Sequence, residues 1–172
     1  VYLFDKPGAI QSLIVAGQLL PANGRDDEVD IDLMNRVIGG SFTSRLNMNL
    51  REDKSWSYGV RARLSSRKGP RPMLVYAPVQ TDRTVDSIKE IQKEYSEYLS
   101  SRPASNEEID PIKQQIILGL NGQFETFGSL LSGVSGIVTF ERGDDYLNAV
   151  PEKYNAVTID QVNAAAEKYL DP

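Results

Sequence analysis

Arg51 and Tyr58 are the two residues of this sequence whose types and spacing could do chemistry. They flank a segment that predicts the end of a short helix and the start of a strand. A guanidinium offers a planar fork of N–H donors, and a tyrosine hydroxyl adds one more donor. If the turn brings the two together, they can hold a carboxylate, a peptide carbonyl or a developing oxyanion. The same spacing also fits a surface Arg51 paired with Glu52 or Asp53, beside a Tyr58 half-buried in a strand.

The residue types that are missing limit what this chain could catalyse by itself. The 172 residues include no His and no Cys, so no Ser/His/Asp or Cys/His nucleophile system can be built. A zinc site would have to consist of carboxylates only, which is not how proteins usually bind zinc. We therefore expect no catalytic residue, no metal ligand and no cofactor in this chain alone.

Overall composition indicates one ordinary globular domain. Apolar residues make up 40% of the chain and charged residues 25%, with a net charge of −5. Nucleic-acid binding is not expected, because it needs a dense Lys/Arg surface. No apolar run approaches the roughly 18–20 residues that cross a bilayer. The first residues, VYLFDKPGAIQ, do not resemble a signal peptide, since they lack a basic start and a small-residue cleavage site.

Three further clusters carry weaker signals. The acidic run over residues 26–32 does not have the spacing of a calcium loop, and no lysine follows Gly39-Gly40 as a phosphate loop requires. Both are better explained as the two ends of one helix. A basic set lies on and after the strand that follows Tyr58: Arg61, Arg63, Arg67, Lys68 and Arg71. It fits either an exposed sheet face or a surface that attracts an acidic partner or peptide.

Hydrophobic periodicity predicts the elements that position the pair. Strands are expected over 1–5, 9–20, 56–65 and 73–80, with Tyr58 on the same face as Val60, Ala62 and Leu64. Pro78 suggests an edge position or a bulge for the last strand. Helices are expected over 26–38, 43–52, 84–99, 105–120, 124–140, 144–156 and 158–170. Strands come first and helices gather later, which predicts an α+β fold: an antiparallel sheet with helices packed on one face.

Three local patterns add detail to these helices. Ser105 and Thr158 each begin a capping box, with Glu or Gln three residues later. Phe42, Leu46 and Leu50 follow at a spacing of four, which suggests one apolar stripe at the helix over 43–52. The helix over 124–140 contains several small residues, which would allow close packing on a neighbour.

The stretch from Ile38 to Tyr58, IGGSFTSRLNMNLREDKSWSY, resembles the C-terminal, non-catalytic half of M16 zinc metallopeptidases. These are the relatives of pitrilysin, insulinase and the mitochondrial processing peptidase. Residues 1–11, 122–126 and 156–172 also resemble the family, so the likeness covers nearly the whole chain. It implies a half-domain of the LuxS/MPP-like metallohydrolase fold, with residues 1–172 forming a single domain that is a fragment of a longer two-half protein.

The resemblance also implies a function. In such proteins one half carries an inverted zinc motif, H-x-x-E-H, and the other half supplies an Arg and a Tyr that bind the substrate backbone. By that likeness Arg51 and Tyr58 would grip an extended peptide, and zinc would belong to a homologous partner half. This chain alone should be inactive, as one part of a zinc metalloendopeptidase. Bacterial relatives are often periplasmic, which predicts that compartment here.

Two alternatives remain open from the sequence. Relatives of this fold serve as non-enzymatic core subunits of a respiratory complex, so the chain could be a structural or assembly subunit. It could also be a peptide-binding module whose sheet edge captures extended chains without cleavage.

Overall fold

The computed structural model describes residues 6–172, apart from the side chains of Asn121 and Gln123. Its strands are β1 (Gln11–Leu20), β2 (Arg61–Leu64) and β3 (Arg71–Gln80). Its helices are α1 (Glu28–Asn35), the single turn α2 (Arg45–Asn47), α3 (Thr84–Tyr98), α4 (Asn106–Gly119), α5 (Phe127–Thr139), α6 (Tyr146–Ala156) and α7 (Ile159–Tyr169). The predicted α+β class is confirmed. The strand predicted for residues 1–5 lies outside the described residues.

The sheet has the order β1-β3-β2 and is antiparallel throughout. Alternate side chains of β3 are fully buried, beginning with Met73 and ending with Val79, while those between them are half-buried. The buried face packs on helices, as a strand period of two requires. The opposite face stays open to solvent, and its β1 residues Leu13 and Val15 are 62% and 53% exposed.

Pro78 lies in the central strand, and the predicted edge position or bulge is wrong. β2 pairs with β3 only from Met73 to Tyr76. Beyond Tyr76 only the isolated bridge between Ser57 and Val79 continues this side of β3. β2 is too short to pair with Pro78. A proline, which cannot donate a ladder hydrogen bond, is therefore tolerated at this position although β3 is the central strand.

The helical layer forms one core with the sheet. α1 packs on α7, and the fully buried side chains of Ile31, Met34 and Ile38 meet those of the sheet. The capping boxes predicted at Ser105 and Thr158 are both formed, each with its partner three residues later. A third box, which the sequence analysis missed, opens α5 at Thr126 with Ser129 as the partner.

The chain does not leave α1 at Gly39-Gly40 through a left-handed turn, as their position at the helix end suggested. Residues Arg36–Gly40 continue the helix as one π turn, and neither glycine has a positive φ. A Cβ on Gly39 would lie 2.6 Å from the Cβ of Ala62 and 3.0 Å from its amide nitrogen. Gly39 is therefore needed for close approach of the π turn to β2 rather than for backbone freedom.

α5 is the least buried helix among the described residues. None of its side chains is fully buried, and Phe127, Leu131 and Val138 are largely exposed. The small residues that suggested close packing make limited contacts here, such as Gly133 beside Leu147. Of the helices in residues 6–172, none is long and apolar enough to cross a membrane.

Candidate functional site

Arg51 stands on a π turn that extends the short helix α2. The predicted helix over 43–52 exists, but its second half, Met48–Asp53, is π-helical. The amide of Lys54 donates to the carbonyl of Asn49 at 3.0 Å, which is the i→i−5 bond of such a turn. Single π turns occur often at functional sites, because the extra residue redirects the side chains that follow.

The break between Arg51 and Tyr58 is built on the carbonyl of Leu50, a fully buried residue. This oxygen accepts from the amides of Trp56 at 2.9 Å and Ser57 at 3.2 Å. The chain reverses at Ser55, whose φ is +57°, a left-handed value uncommon outside glycine. The reversal brings the chain that follows Arg51 back against the turn that carries it.

Tyr58 is 90% exposed whereas Val60 and Ala62 are buried, so its predicted place on the same strand face as those two residues is wrong. β2 begins only at Arg61. Before it, the hydroxyl of Ser57 donates to the carbonyl of Pro78 at 2.6 Å and accepts from the amide of Gly59 at 3.1 Å. These local bonds replace the strand ladder here and leave Tyr58 pointing out of the sheet.

Arg51 and Tyr58 line one open pocket of about 330 Å³ at the end of the sheet. Trp56 and two glutamines from the strand ends, Gln11 and Gln80, lie in the same wall. The full lining is Gln11, Arg51, Glu52, Ser55, Trp56, Ser57, Tyr58 and Gln80. Such a pocket presents N–H and O–H donors to solvent, which suits a carbonyl or carboxylate ligand.

The guanidinium of Arg51 is oriented by two neighbours. Its Nη1 lies 3.1 Å from Oε1 of Glu52, the pairing that the sequence left open as the alternative explanation. Its Cζ also lies 4.6 Å from the centre of the Phe42 ring. The side chain remains 34% exposed. Arg51 is therefore held in one place while part of its donor fork faces the pocket.

Phe42 is a residue near the site whose position was predicted wrongly from the sequence. Its spacing to Leu46 and Leu50 suggested one apolar helix stripe, but Phe42 precedes the helix and is 57% exposed. Besides Arg51, it lies 5.8 Å from the Cζ of Arg61. The available signal was Ser44, a residue type favoured at the N-cap, which places Phe42 before the helix, although the Ser44 side chain makes no capping hydrogen bond.

Asn47 ties the two halves of the site together. It is fully buried. Its amide nitrogen donates to the carbonyl of Phe42 at 2.6 Å, and its oxygen accepts from the amide of Val60 at 3.0 Å. One side chain thus fixes the segment before Arg51 against the segment after Tyr58.

Arg45 anchors the same helix to α4. Its Nε and Nη2 each donate to Glu108 at 2.7 Å, in a bidentate pair. The Arg45 side chain is 6% exposed and that of Glu108 is 32% exposed. Burial raises the pKa of Glu108, but the bonds from Arg45 and from the Ser105 amide outweigh it, so this pKa lies below its ordinary value.

The basic set after Tyr58 does not form one exposed stripe. Arg71 is 3% exposed and donates from Nε to the carbonyl of Pro21 at 3.1 Å, and burial lowers its pKa. Arg61 and Arg63 lie on the open face of the sheet, and Arg67 follows in the connection to β3. Only part of the predicted set can therefore meet a partner.

The residues that the structure describes do not form a zinc site. Within residues 6–172, no three His, Cys, Asp or Glu side chains come together as a metal-binding group. The sequence has neither of the two strong zinc ligands, His and Cys.

Comparison with solved structures shows that peptidase M16 domains share this fold. The M16 inactive domain from Pseudomonas fluorescens superposes with a TM-score of 0.84 at 21% identity, over 95% of this chain and 39% of that one. The periplasmic protease PqqL from Escherichia coli superposes with a TM-score of 0.75 at 18% identity, over 95% of this chain and 18% of that one.

A sequence model of the family makes the assignment specific. The model described as the peptidase M16 inactive domain matches residues 1–116, and the chain belongs to this family. The Bacillus subtilis (strain 168) protein named "Uncharacterized zinc protease YmxG" is 25% identical over 145 residues. That match covers 84% of this chain but 35% of the relative. The resemblance inferred from the glycine-to-tyrosine stretch is thereby confirmed, and such domains occur as parts of larger zinc proteases.

Proposed function

We propose that this chain is the substrate-binding, zinc-free half of an M16 zinc metallopeptidase. It would grip an extended peptide while a homologous partner half, which carries the zinc motif, performs the hydrolysis. The observation that carries the proposal is the shared pocket of Arg51 and Tyr58, in which both side chains reach solvent. Membership of the inactive-domain family agrees with a role in binding rather than in chemistry.

The proposed grip works through hydrogen bonds to the peptide backbone. The Arg51 fork and the Tyr58 hydroxyl would donate to a carbonyl of the peptide, fixing its position and stabilising negative charge on its oxygen. Backbone contacts do not depend on side-chain identity, so the pair itself would accept many sequences. Residues of this chain bind and orient in this proposal, and none of them transfers a proton.

The direct test is cleavage of an unstructured peptide by this chain together with the homologous zinc-bearing half from the same source. We expect Arg51→Ala to lower kcat/KM by about 10- to 100-fold, since hydrogen bonds from a charged donor are lost. Tyr58→Phe should lower it by about 3- to 10-fold, because a neutral hydrogen bond is worth less.

Arg67→Ala is the matched control, since Arg67 is exposed and does not line the pocket. Unchanged cleavage in both site variants would remove the proposed roles of Arg51 and Tyr58. An assembly that binds no zinc and cleaves nothing would favour the structural-subunit alternative. Tight peptide binding without cleavage would favour the plain binding module.

A periplasmic location is the accompanying proposal. Its support is the likeness in fold to a periplasmic protease. Fractionation of the source cells, followed by detection of the protein in the periplasmic fraction or the cytoplasmic fraction, decides it.

A further inference from the structure

A second open pocket lies beside the first, on the solvent face of the sheet. It has a volume of about 270 Å³. Its lining is Leu13, Gly59, Arg61, Arg63, Tyr76 and Pro78. Gly59 directly follows Tyr58, and Phe42 lies within 6 Å of both Arg51 and Arg61. The two pockets are therefore neighbours on one continuous surface.

Within residues 6–172, the two arginines of this second pocket have no acidic partner. Among the described residues, no carboxylate oxygen lies within 4.0 Å of Arg61 or Arg63, although the chain as a whole has a net charge of −5. Arg61 donates from Nη1 to its neighbouring carbonyl, that of Val60, at 3.0 Å. Arg63 lies over Tyr76, with its Cζ 6.0 Å from the ring centre. Both guanidiniums keep donors for a ligand.

The other residues that line the pocket indicate which shape of ligand fits it. Leu13 and Pro78 are paired across β1 and β3, and Tyr76 is paired with Arg61 across β3 and β2. Apolar side chains thus lie between the strand ends and the two positive charges. A short aliphatic stem that ends in a carboxylate fits this arrangement, because the stem can cover Leu13 while the carboxylate meets a guanidinium.

We propose that this pocket is a specificity subsite for an acidic side chain of the extended peptide held at Arg51 and Tyr58. The proposal rests on the proposed function above and adds a substrate preference to it. Arg61 follows Tyr58 by three residues, which is at most about 10 Å of extended backbone. The preferred Asp or Glu should therefore lie within about three residues of the carbonyl that Arg51 and Tyr58 bind.

The test measures binding of labelled extended peptides to this chain by fluorescence anisotropy. Each peptide of the set carries one Glu at a different position, and a matched peptide carries Gln there. We expect one position at which Glu binds about 10-fold tighter than Gln, and this preference should shrink as salt is raised. In Arg61→Gln/Arg63→Gln the preference should disappear while the Gln peptide keeps its affinity within twofold.

Two further variants make the result specific. Arg67→Gln should keep the preference, because Arg67 lies outside the pocket. Arg61→Glu/Arg63→Glu should bind the corresponding Lys peptide better than the Glu peptide, since the charge requirement is reversed. Equal affinity for Glu and Gln peptides at every position would overturn the subsite. If Arg51→Ala still weakened the binding of those peptides, the proposed grip by Arg51 and Tyr58 would stand without the acidic subsite. If no peptide bound to the chain, both the grip and the subsite would be overturned.

Discussion

At the scale of single residues, the site depends on a contrast between exposed donors and buried anchors. The sequence predicted that Arg51 and Tyr58 could come together across a helix-to-strand break, and they line one pocket, but their role in binding stays a prediction. Their anchor, Asn47, could not be predicted. Its buried bonds to Phe42 and Val60 join segments on either side of the site, and spacing alone gives no sign of them. The position of Phe42 was predicted wrongly for the same reason, because the residues that it contacts are brought to it by the tertiary fold.

Ser55 supplies a test at this scale, because it holds a left-handed φ in the reversal between Arg51 and Tyr58. Ser55→Gly should leave the free energy of unfolding unchanged or raise it by up to about 1 kcal/mol, since glycine adopts this conformation without steric cost. Ser55→Val should lower it by about 1–2 kcal/mol, because a β-branched side chain is strained there. Urea unfolding measures both. Identical stability in the two variants would mean that the turn relaxes to another conformation.

At the scale of elements, the presence of the strands and helices could be predicted from hydrophobic periodicity, whereas the π turns could not. The capping boxes at Ser105 and Thr158 are local patterns and were predicted correctly. The two π turns were not predicted, because an i→i−5 bond is chosen by packing rather than by propensity. The position of Pro78 also required knowledge of the partner strand, since only the shortness of β2 makes a central proline acceptable.

Gly39 provides the test of one such turn. Gly39→Ala should destabilise the fold by about 1–3 kcal/mol, because the new Cβ would overlap Ala62, whose own Cβ cannot move without the strand. Gly119→Ala is the matched control. It lies at the end of α4 with nothing within 4 Å of the added Cβ, so it should be neutral or stabilise by up to about 1 kcal/mol. Equal effects in thermal unfolding would contradict the close approach of the π turn to β2.

At the scale of the whole molecule, the pair of Arg45 and Glu108 joins the site helix to the second half of the chain. The α+β class and the family could be predicted from the sequence, but this link across 63 residues could not, because the capping box at Ser105 already accounts for Glu108 and gives no sign of Arg45. Whether residues 1–172 are one domain of a longer two-half protein stays a prediction.

The pH dependence of stability tests this link. The pKa of Glu108 lies below its ordinary value in the folded chain, so the pair contributes stability above about pH 4.5 and loses it as pH falls through the folded pKa. Glu108→Gln should therefore be less stable than the wild type at pH 7 by about 1–2 kcal/mol, because charge-assisted hydrogen bonds are lost at a carboxylate that is 32% exposed. The difference should narrow as pH drops from 5 towards 3, because Glu108 takes up a proton and its carboxylate no longer pairs with Arg45.

The control for this comparison is Glu152→Gln, which removes an exposed carboxylate of α6. Urea unfolding at several pH values gives the free energies for all three chains. A gap between wild type and Glu108→Gln that stays constant over this range would show that the ionised carboxylate is not what stabilises the link.

The separation of exposed donors from buried anchors has a consequence for how such chains diverge. Replacing Tyr58 removes an exposed side chain and replacing Arg51 a half-buried one, whereas the buried residues Leu50, Asn47 and Arg45 hold the backbone beneath them. If the proposed peptide grip holds, a copy that loses it would remain a stable protein and escape the degradation that removes misfolded ones. Duplicated genes of this design could thus persist with new roles, since their first inactivating changes carry little cost in folding.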